Sequence, residues 1–228
     1  LNTDQRPKVD DYVDYLYIVV RFFEYDTATG SIGSDQVSIV LGADFVLTFQ
    51  ERPTGTFDPL RERLRADKGQ IRKLGADYLA YSLLDTVIDR YFTVLEQLTE
   101  RTEALEDKLL LQATPALLKE IHAIKREAMV MRRAVWPLRE VINSLTRADQ
   151  RFFKPETQPY LRDIYDHTVH VIESLESVRD LIAGMLDIYL SNISNRVNLE
   201  VRILTVITTL FMPAALIAGI FGMNFRHM

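Results

Sequence analysis

Hydrophobic residues follow different patterns in different parts of this chain, and the first of these patterns predicts β-strands. Residues 12–25 are a nearly continuous run of β-branched and aromatic residues, which is typical of a strand covered on both faces. Residues 36–41 and 45–50 are shorter apolar runs on either side of a turn that begins with Gly42, and they predict a hairpin. The chain is therefore expected to begin with part of a β-sheet.

A helical pattern replaces the strand pattern after the hairpin. Residues 58–64 predict a short helix, because Asp58 is a good N-cap and Pro59 fits the first helical position. Apolar residues then recur every three or four positions over residues 77–111. This spacing predicts a long amphipathic helix.

A second long helix is predicted directly after the first. Thr114 can cap it, and the helical pattern runs from Pro115 to about residue 148. We expect the two helices, residues 77–148, to be antiparallel and to end in an acidic tip at residues 96–107. Such a tip either is simply solvated or collects cations, and the sequence leaves both possibilities open.

The last part of the soluble chain predicts one very long helix. From residue 160 to Gly222 it has no strong breaker before Pro213, and unbroken it would be about 95 Å long. Its apolar positions alternate in steps of three and four, and they form a seam consisting of Leu161, Ile164, Thr168, Val171, Leu175, Val178, Ile182, Met185 and Tyr189. Such a repeat favours parallel self-association of this helix. Residues 156–202 are therefore expected to form the stalk of an oligomer.

Residues 203–225 continue the same helix and contain 23 residues without a charged side chain. As a helix this stretch is about 34 Å long, enough to cross about 30 Å of bilayer hydrocarbon. We expect a transmembrane helix rather than a buried core helix, because polar residues usually interrupt the apolar run of a core helix. Membrane lipid is accordingly an expected partner.

Polar side chains replace the apolar seam near the membrane end of this helix. Steps of three and four from Asp187 reach Ser191, Ser194, Asn198, Val201, Thr205, Thr208 and Met212. Polar groups at membrane depth are tolerated where they line a cavity or bond another helix, so this stripe predicts a wet pore between copies. The alternative is that each threonine hydroxyl donates to a carbonyl of its own helix.

Composition narrows the possible functions. The net charge of −5 argues against a nucleic-acid partner and suits the attraction of cations. The absence of Cys excludes disulfides and thiolate metal sites. An enzyme is not expected, because we find no Gly-rich phosphate loop and no histidine with a plausible base partner in a catalytic motif. The N-terminal residues also lack the basic and apolar regions of a signal peptide.

The Gly-Met-Asn sequence at residues 222–224 resembles the signature of the CorA family of divalent cation transporters. The resemblance covers nearly the whole chain, through matches at residues 189–195, 165–168, 136–140 and 5–8. It implies an α+β fold, with a partial αβα cytoplasmic domain at residues 1–155, a stalk and a first transmembrane helix, assembled as a homopentameric funnel. It also implies a fragment, with further strands upstream and a second transmembrane helix downstream.

The resemblance implies uptake of Mg²⁺, and of Co²⁺ or Ni²⁺, across the cell membrane. Its selectivity filter would be Gly222, Met223 and Asn224, where a ring of neutral amide oxygens can hold a hydrated cation without binding it too tightly. The pore-lining and gate candidates are Asp187, Asn198, Val201, Leu204, Thr208 and Met212. Apolar rings among them can close the pore by dewetting. Val201 is smaller than the Met or Leu more usual in the family.

The resemblance also implies a regulatory cation site, at which Asp163 binds a cytoplasmic divalent ion between neighbouring subunits and Asp85 belongs to the same site. Loss of that ion would loosen the subunits and shift the population of conformations. Asp163, His167 and His170 lie on one helical face, a carboxylate and imidazole set that suits Zn²⁺, Co²⁺ or Ni²⁺ better than Mg²⁺. A purely structural use of the histidines is the alternative.

Two other functions stay open at this point. A zinc transporter of the ZntB branch is one, because that branch shares the Gly-Met-Asn ending. A membrane-anchored cation sensor that conducts nothing is the other.

Overall fold

The computed structural model describes residues 5–26, 30–67, 69–147 and 151–222. Within these residues the strands are β1 (Lys8–Asp11), β2 (Tyr15–Asp26), β3 (Ser31–Gly42) and β4 (Val46–Gln50). The helices are α1 (Asp58–Arg65), α2 (Ile71–Leu74), α3 (Ala76–Leu111), α4 (Pro115–Arg147) and α5 (Gln158–Gly222). The chain is therefore α+β with a very long C-terminal helix, as predicted.

The strands form one antiparallel sheet in the order β1-β2-β3-β4. Val19 and Val20 are both fully buried, although neighbouring strand residues point to opposite faces. The centre of β2 is thus covered on both faces, as its apolar run predicts. β3 begins at Ser31, well before the predicted start at residue 36, because its polar first half also pairs with β2. The short polar strand β1 was not predicted.

The short helix α1 lies where it was predicted, but Asp58 is not its N-cap. Phe57 occupies the N-cap position and makes no side-chain capping bond, whereas Asp58 is the first helical residue. The Asp58 carboxylate instead accepts a hydrogen bond from Arg61 at 2.7 Å, one turn along the helix. Asp58 therefore stabilises the first turn through its charge rather than as a cap.

The helices α3 and α4 form the predicted antiparallel pair. Arg101 on α3 and Glu127 on α4 form an ion pair at 2.6 Å, and the Leu117 N–H donates to the Thr114 Oγ1 at 3.4 Å. Thr114 therefore caps α4 as predicted. The first part of α5 packs against both helices, so that three helices share one hydrophobic core with the sheet.

The apolar seam of α5 packs inside the chain. Each of its predicted positions is buried, and the apolar ones belong to the core that α3 and α4 also form. The prediction that these residues join copies of the helix is therefore wrong. A three-and-four repeat specifies a neighbouring helix, but it does not specify whether that helix belongs to the same chain.

The second part of α5 leaves this core. All residues from 194 to 222 are exposed, and an 18-residue window of this helix has a mean hydropathy of 2.2 with none of it buried. In the described chain this is one helix that is long and apolar enough to cross a membrane. The 65 residues of α5 make the helix about 98 Å long, so it extends well beyond the soluble domain.

Candidate functional site

The packing of α3 against α5 brings Asp85 and Asp163 close enough for their charges to interact. The pKa of Asp85 is raised, first by burial of its carboxyl group and then by the negative charges of Asp89 and Asp163. Asp85 is half-buried and Asp163 is exposed, so the pair is open to solvent on one side. The two aspartates that the sequence assigns to one site are thus neighbours.

This acidic group suits a hard divalent cation. A bound cation would relieve the repulsion between the carboxylates, and carboxylate oxygens are the ligands that Mg²⁺ prefers. Among the described residues, however, no three His, Asp or Glu side chains converge closely enough to hold a metal ion. The acidic group of one chain therefore does not form a metal site by itself within the described residues.

The histidines of α5 lie beside this group without completing it. His167 Nε2 is 3.9 Å from Asp163 Oδ1, and His167 Nδ1 is buried without a hydrogen-bond partner among the described residues. The rings of His167 and His170 each lie 5.8 Å from the Phe92 ring, measured between centroids. Asp163, His167 and His170 therefore share a helical face but do not form a three-ligand metal cluster in this structure.

Three tyrosine rings pack together at one end of the acidic group. The rings of Tyr78, Tyr81 and Tyr160 are 5.1 to 5.2 Å apart between centroids and join the start of α3 to the start of α5. Burial raises the pKa of the Tyr81 hydroxyl, and the nearby Asp85 carboxylate raises it further. Tyr81 thus stays protonated beside the carboxylates. The spacing of Tyr78 and Tyr81 on one helix face was the only sequence signal for this cluster.

Asp77 fixes the point at which α5 begins. Its buried Oδ2 accepts hydrogen bonds from the Lys154 N–H at 3.0 Å and from the Thr157 hydroxyl at 2.7 Å. Gly75, just before it, adopts a φ of +100° that permits the turn into α3. The sequence predicts only that a helix begins near residue 77, because the partners of Asp77 lie about 80 residues further along the chain.

The pore candidates are all exposed on the second half of α5 or just before it. They are Asp187, Asn198, Val201, Leu204, Thr208 and Met212, and all but Asp187 lie beyond the helical core. Val201, Leu204 and Met212 are 55%, 63% and 65% exposed, so no part of the described chain covers the candidate gate.

The threonine hydroxyls of this segment are bonded within the helix. Thr205 donates to the Val201 carbonyl, Thr208 to the Leu204 carbonyl, and Thr209 to the Thr205 carbonyl, each at 2.8 Å. The predicted alternative, in which each threonine hydroxyl donates to a carbonyl of its own helix, is therefore confirmed within one chain. Each hydroxyl oxygen still offers lone pairs to water or a hydrated ion.

Of the predicted selectivity filter, only Gly222 is described, and it is the last residue of α5. Apart from its own helix backbone and its chain neighbours, no described atom lies within 4 Å of the position that a Cβ at Gly222 would occupy. Met223 and Asn224 lie outside the described residues, so the filter stays a prediction.

Comparison with known proteins gives consistent matches over the whole chain. The family model described as "CorA-like Mg2+ transporter protein" matches residues 1–228. The chain is 44% identical over 228 residues to the cobalt/magnesium transport protein CorA of Thermotoga maritima, covering 100% of this chain and 65% of that protein. It is 31% identical over 224 residues to the putative metal ion transporter YfjQ of Bacillus subtilis, covering 98% of this chain and 69% of that protein.

A solved structure shares the fold. The complete structure of the CorA magnesium transporter from Methanocaldococcus jannaschii superposes with a TM-score of 0.89 at 23% identity, covering 100% of this chain and 71% of that one. At this identity the likeness concerns the fold alone. The names of these three proteins describe transporters rather than enzymes. The chain spans about two thirds of the length of the curated relatives it matches.

Proposed function

The chain belongs to the CorA family of Mg²⁺ transporter proteins, and from this premise we propose that the intact protein is a homo-oligomeric channel for divalent cations. Its substrate is Mg²⁺, with Co²⁺ and Ni²⁺ as further candidates, and it admits the ion across the cell membrane. The observation that carries the proposal is the second half of α5, which leaves the soluble core as an apolar, fully exposed helix with a polar stripe.

Such a helix needs two different surroundings. Its apolar residues are stable against lipid, whereas Asn198 and the lone pairs of Thr205 and Thr208 need water or another helix. Several parallel copies satisfy both needs, because they can place the stripe around a wet axis and the remaining faces against lipid. The family resemblance favours five copies. In this arrangement residues 1–155 form the cytoplasmic domain, residues 156–202 the stalk and residues 203–225 the first membrane helix.

Three levels of the pore then have different roles. A ring of Asn224 amide oxygens, placed by Gly222 and Met223, selects the hydrated ion at the mouth. Val201, Leu204 and Met212 form apolar rings that close the path by dewetting. Asn198 and Asp187 form the polar exit toward the cytoplasm.

Asp85 and Asp163 provide the regulatory site of this channel. The carboxylates of Asp85 and Asp163 interact as like charges, which supports a shared cation site, and the family resemblance favours a location between subunits. Cytoplasmic Mg²⁺ bound there stabilises the contact between subunits and so favours the closed state.

The test of the transport function is ion uptake into vesicles that contain the full-length protein. We expect Asn224→Ala to abolish Mg²⁺ uptake, because a methyl group cannot hold the ion's water shell. Ile217→Ala, on the same helix, removes apolar volume without touching the polar stripe and should leave uptake largely intact. Unimpaired uptake by Asn224→Ala would refute the filter assignment, and preferred uptake of Zn²⁺ over Mg²⁺ would favour a ZntB-like transporter.

The internal hydrogen bonds of Thr205, Thr208 and Thr209 favour one competing function, a sensor that binds cations but does not conduct. Their donors are satisfied without water, as in a closed helix bundle. Single cysteines can be introduced in the full-length protein after any cysteine outside residues 1–228 is replaced, because these residues contain none. A channel requires that a hydrophilic thiol reagent modify Thr208→Cys more rapidly than Leu210→Cys, whereas equal protection of both supports the sensor.

A further inference from the structure

Tyr81 connects the two helices that carry the acidic group of Asp85 and Asp163. It lies on α3 one turn before Asp85, and this spacing puts both side chains on the same helix face. Its ring packs against the Tyr160 ring of α5, with the two centroids 5.2 Å apart, and Tyr160 lies one turn before Asp163. Tyr81 is thus within about one helical turn of both aspartates.

The Tyr81 side chain is held in this position by its neighbours. Only 7% of Tyr81 is exposed, and its ring contacts the rings of both Tyr78 and Tyr160. Burial raises the pKa of its hydroxyl, and the Asp85 and Asp163 carboxylates raise it further, so the hydroxyl keeps its proton at neutral pH. A buried, protonated hydroxyl requires an acceptor, and a carboxylate is a strong one.

The half-buried Asp85 carboxylate provides this acceptor. Burial of the carboxyl group raises the pKa of Asp85, whereas the hydrogen bond from Tyr81 lowers it and so favours the charged form. A hydroxyl donates only one hydrogen bond, and an ionised carboxylate has about four lone-pair sites. The contact can therefore restrain the carboxylate and still leave acceptor sites for a cation.

We propose that Tyr81 is a positioning residue of the regulatory cation site, where its hydroxyl holds the Asp85 carboxylate toward Asp163. The inference rests on the proposed regulatory function of these two aspartates. Because the Tyr81 ring also packs against α5, the same side chain sets the spacing of α3 and α5 beside the site. Without the hydroxyl the Asp85 carboxylate loses its restraint, so that ordering it opposes the binding of a cation.

The test is limited proteolysis of the full-length protein in detergent at increasing Mg²⁺ concentrations. Tyr81→Phe keeps the ring and removes only the hydroxyl. We expect it to raise the Mg²⁺ concentration for half-maximal protection at least about threefold, because hydrogen bonds to charged groups are among the strong ones. Protection at saturating Mg²⁺ should match that of the wild type, because the ring packing is retained.

Tyr160→Phe is the matched control. It removes a hydroxyl from the same ring cluster, but Tyr81 alone among the described tyrosines shifts the pKa of Asp85. This variant should keep the wild-type Mg²⁺ dependence. Near-ultraviolet difference absorbance gives a second readout, since a cation that binds beside a tyrosine hydroxyl alters the absorption of its ring. Addition of Mg²⁺ should produce a tyrosine signal in the wild type and in Tyr160→Phe, and Tyr81→Phe should lose most of it.

Asp163→Ala separates this inference from the function on which it rests. If Mg²⁺ does not protect the wild type, or if Asp163→Ala leaves the protection unchanged, the regulatory site is refuted and the role of Tyr81 with it. If Asp163→Ala weakens protection but Tyr81→Phe does not, only the positioning role is refuted. The same holds if Tyr160→Phe weakens protection as much as Tyr81→Phe, or if Tyr81→Phe lowers maximal protection without changing the half-maximal Mg²⁺ concentration.

Discussion

The two halves of α5 are one continuous helix with opposite surroundings. Residues 161–189 bury one face against α3 and α4, whereas residues 194–222 contact no other element of the described chain closely enough to be covered. Both halves contain regularly spaced apolar residues, and both are helical without a break. The difference shows that apolar spacing predicts the helix but not what each half packs against. The first half packs inside the chain, whereas any neighbour of the second half lies outside the described residues.

The two halves should therefore respond differently to the same substitution. Burial of an aliphatic side chain contributes about 1.5 to 3 kcal/mol to folding. The first half contributes this free energy to the folded domain, whereas the second half buries no side chain within the described chain and contributes none of it there. The predictions below follow from this contrast.

The largest effect is expected for an aspartate placed in the buried seam. Met185 is fully buried, so Met185→Asp leaves an unpaired charge in the core and should cost more than about 3 kcal/mol of unfolding free energy. Denaturant unfolding of the detergent-solubilised protein, followed by circular dichroism, measures the loss. Ser194→Asp introduces the same charge where α5 is exposed and should change the soluble domain by less than about 0.5 kcal/mol. Equal losses would show that both halves pack alike.

A smaller loss is expected where the first half of α5 is attached. Asp77→Ala leaves the Lys154 N–H and the Thr157 hydroxyl without their acceptor, and should cost about 1 to 3 kcal/mol in the same unfolding experiment. Asp107→Ala, at the exposed tip of α3, is the control and should be nearly neutral. Equal stability of the two variants would mean that Asp77 does not hold the start of α5.

The two halves of α5 can also be compared by making the same substitution at one threonine in each half. Thr168 in the first half and Thr208 in the second each donate to the carbonyl four residues earlier, at 2.7 and 2.8 Å. Thr168 is fully buried, so Thr168→Val should cost about 0.5 to 1.5 kcal/mol through the lost hydrogen bond. Thr208→Val should leave the unfolding of the soluble domain unchanged. A loss of the same size at Thr208 would contradict the exposed state of the second half.

The smallest effect concerns Asp85, beside the first half of α5. Because its pKa is raised in the folded state, stability in the absence of Mg²⁺ should fall as the pH rises from the ordinary value of 3.8 through the raised pKa. Asp85→Asn removes this dependence, so the Mg²⁺-free variant should be more stable than the wild type at neutral pH. Melting temperatures measured from pH 3 to pH 8, with and without Mg²⁺, check the sign. A wild type that gains stability with rising pH in this range would reject the prediction.

Much of the fold could be predicted because its elements are strongly patterned. The helices α3 and α4 and the strand β2 follow from apolar spacing over many residues, whereas β1 contains Lys8, Asp10 and Asp11 and lacks such a pattern. The partner of the α5 seam could not be predicted, because the same repeat fits a helix of the same chain or of another copy.

The candidate sites divide in a similar way. The pairing of Asp85 with Asp163 came from family resemblance, and the structure brings the two residues together. The attachment by Asp77 depends on Lys154 and Thr157, which are far from it in the chain and become its neighbours only through folding. No local pattern could have indicated this attachment.

The unbroken course of α5 also has a mechanical consequence. Asp163, near the base of this helix, and Leu204, in the membrane segment, are joined by helical residues throughout, a span of about 60 Å. A rigid rod of this span that swings by one degree at its base displaces its far end by roughly 1 Å. In the proposed channel, an ion that enters or leaves near Asp163 would therefore need only a small change in the angle of α5 to alter the diameter of the proposed gate.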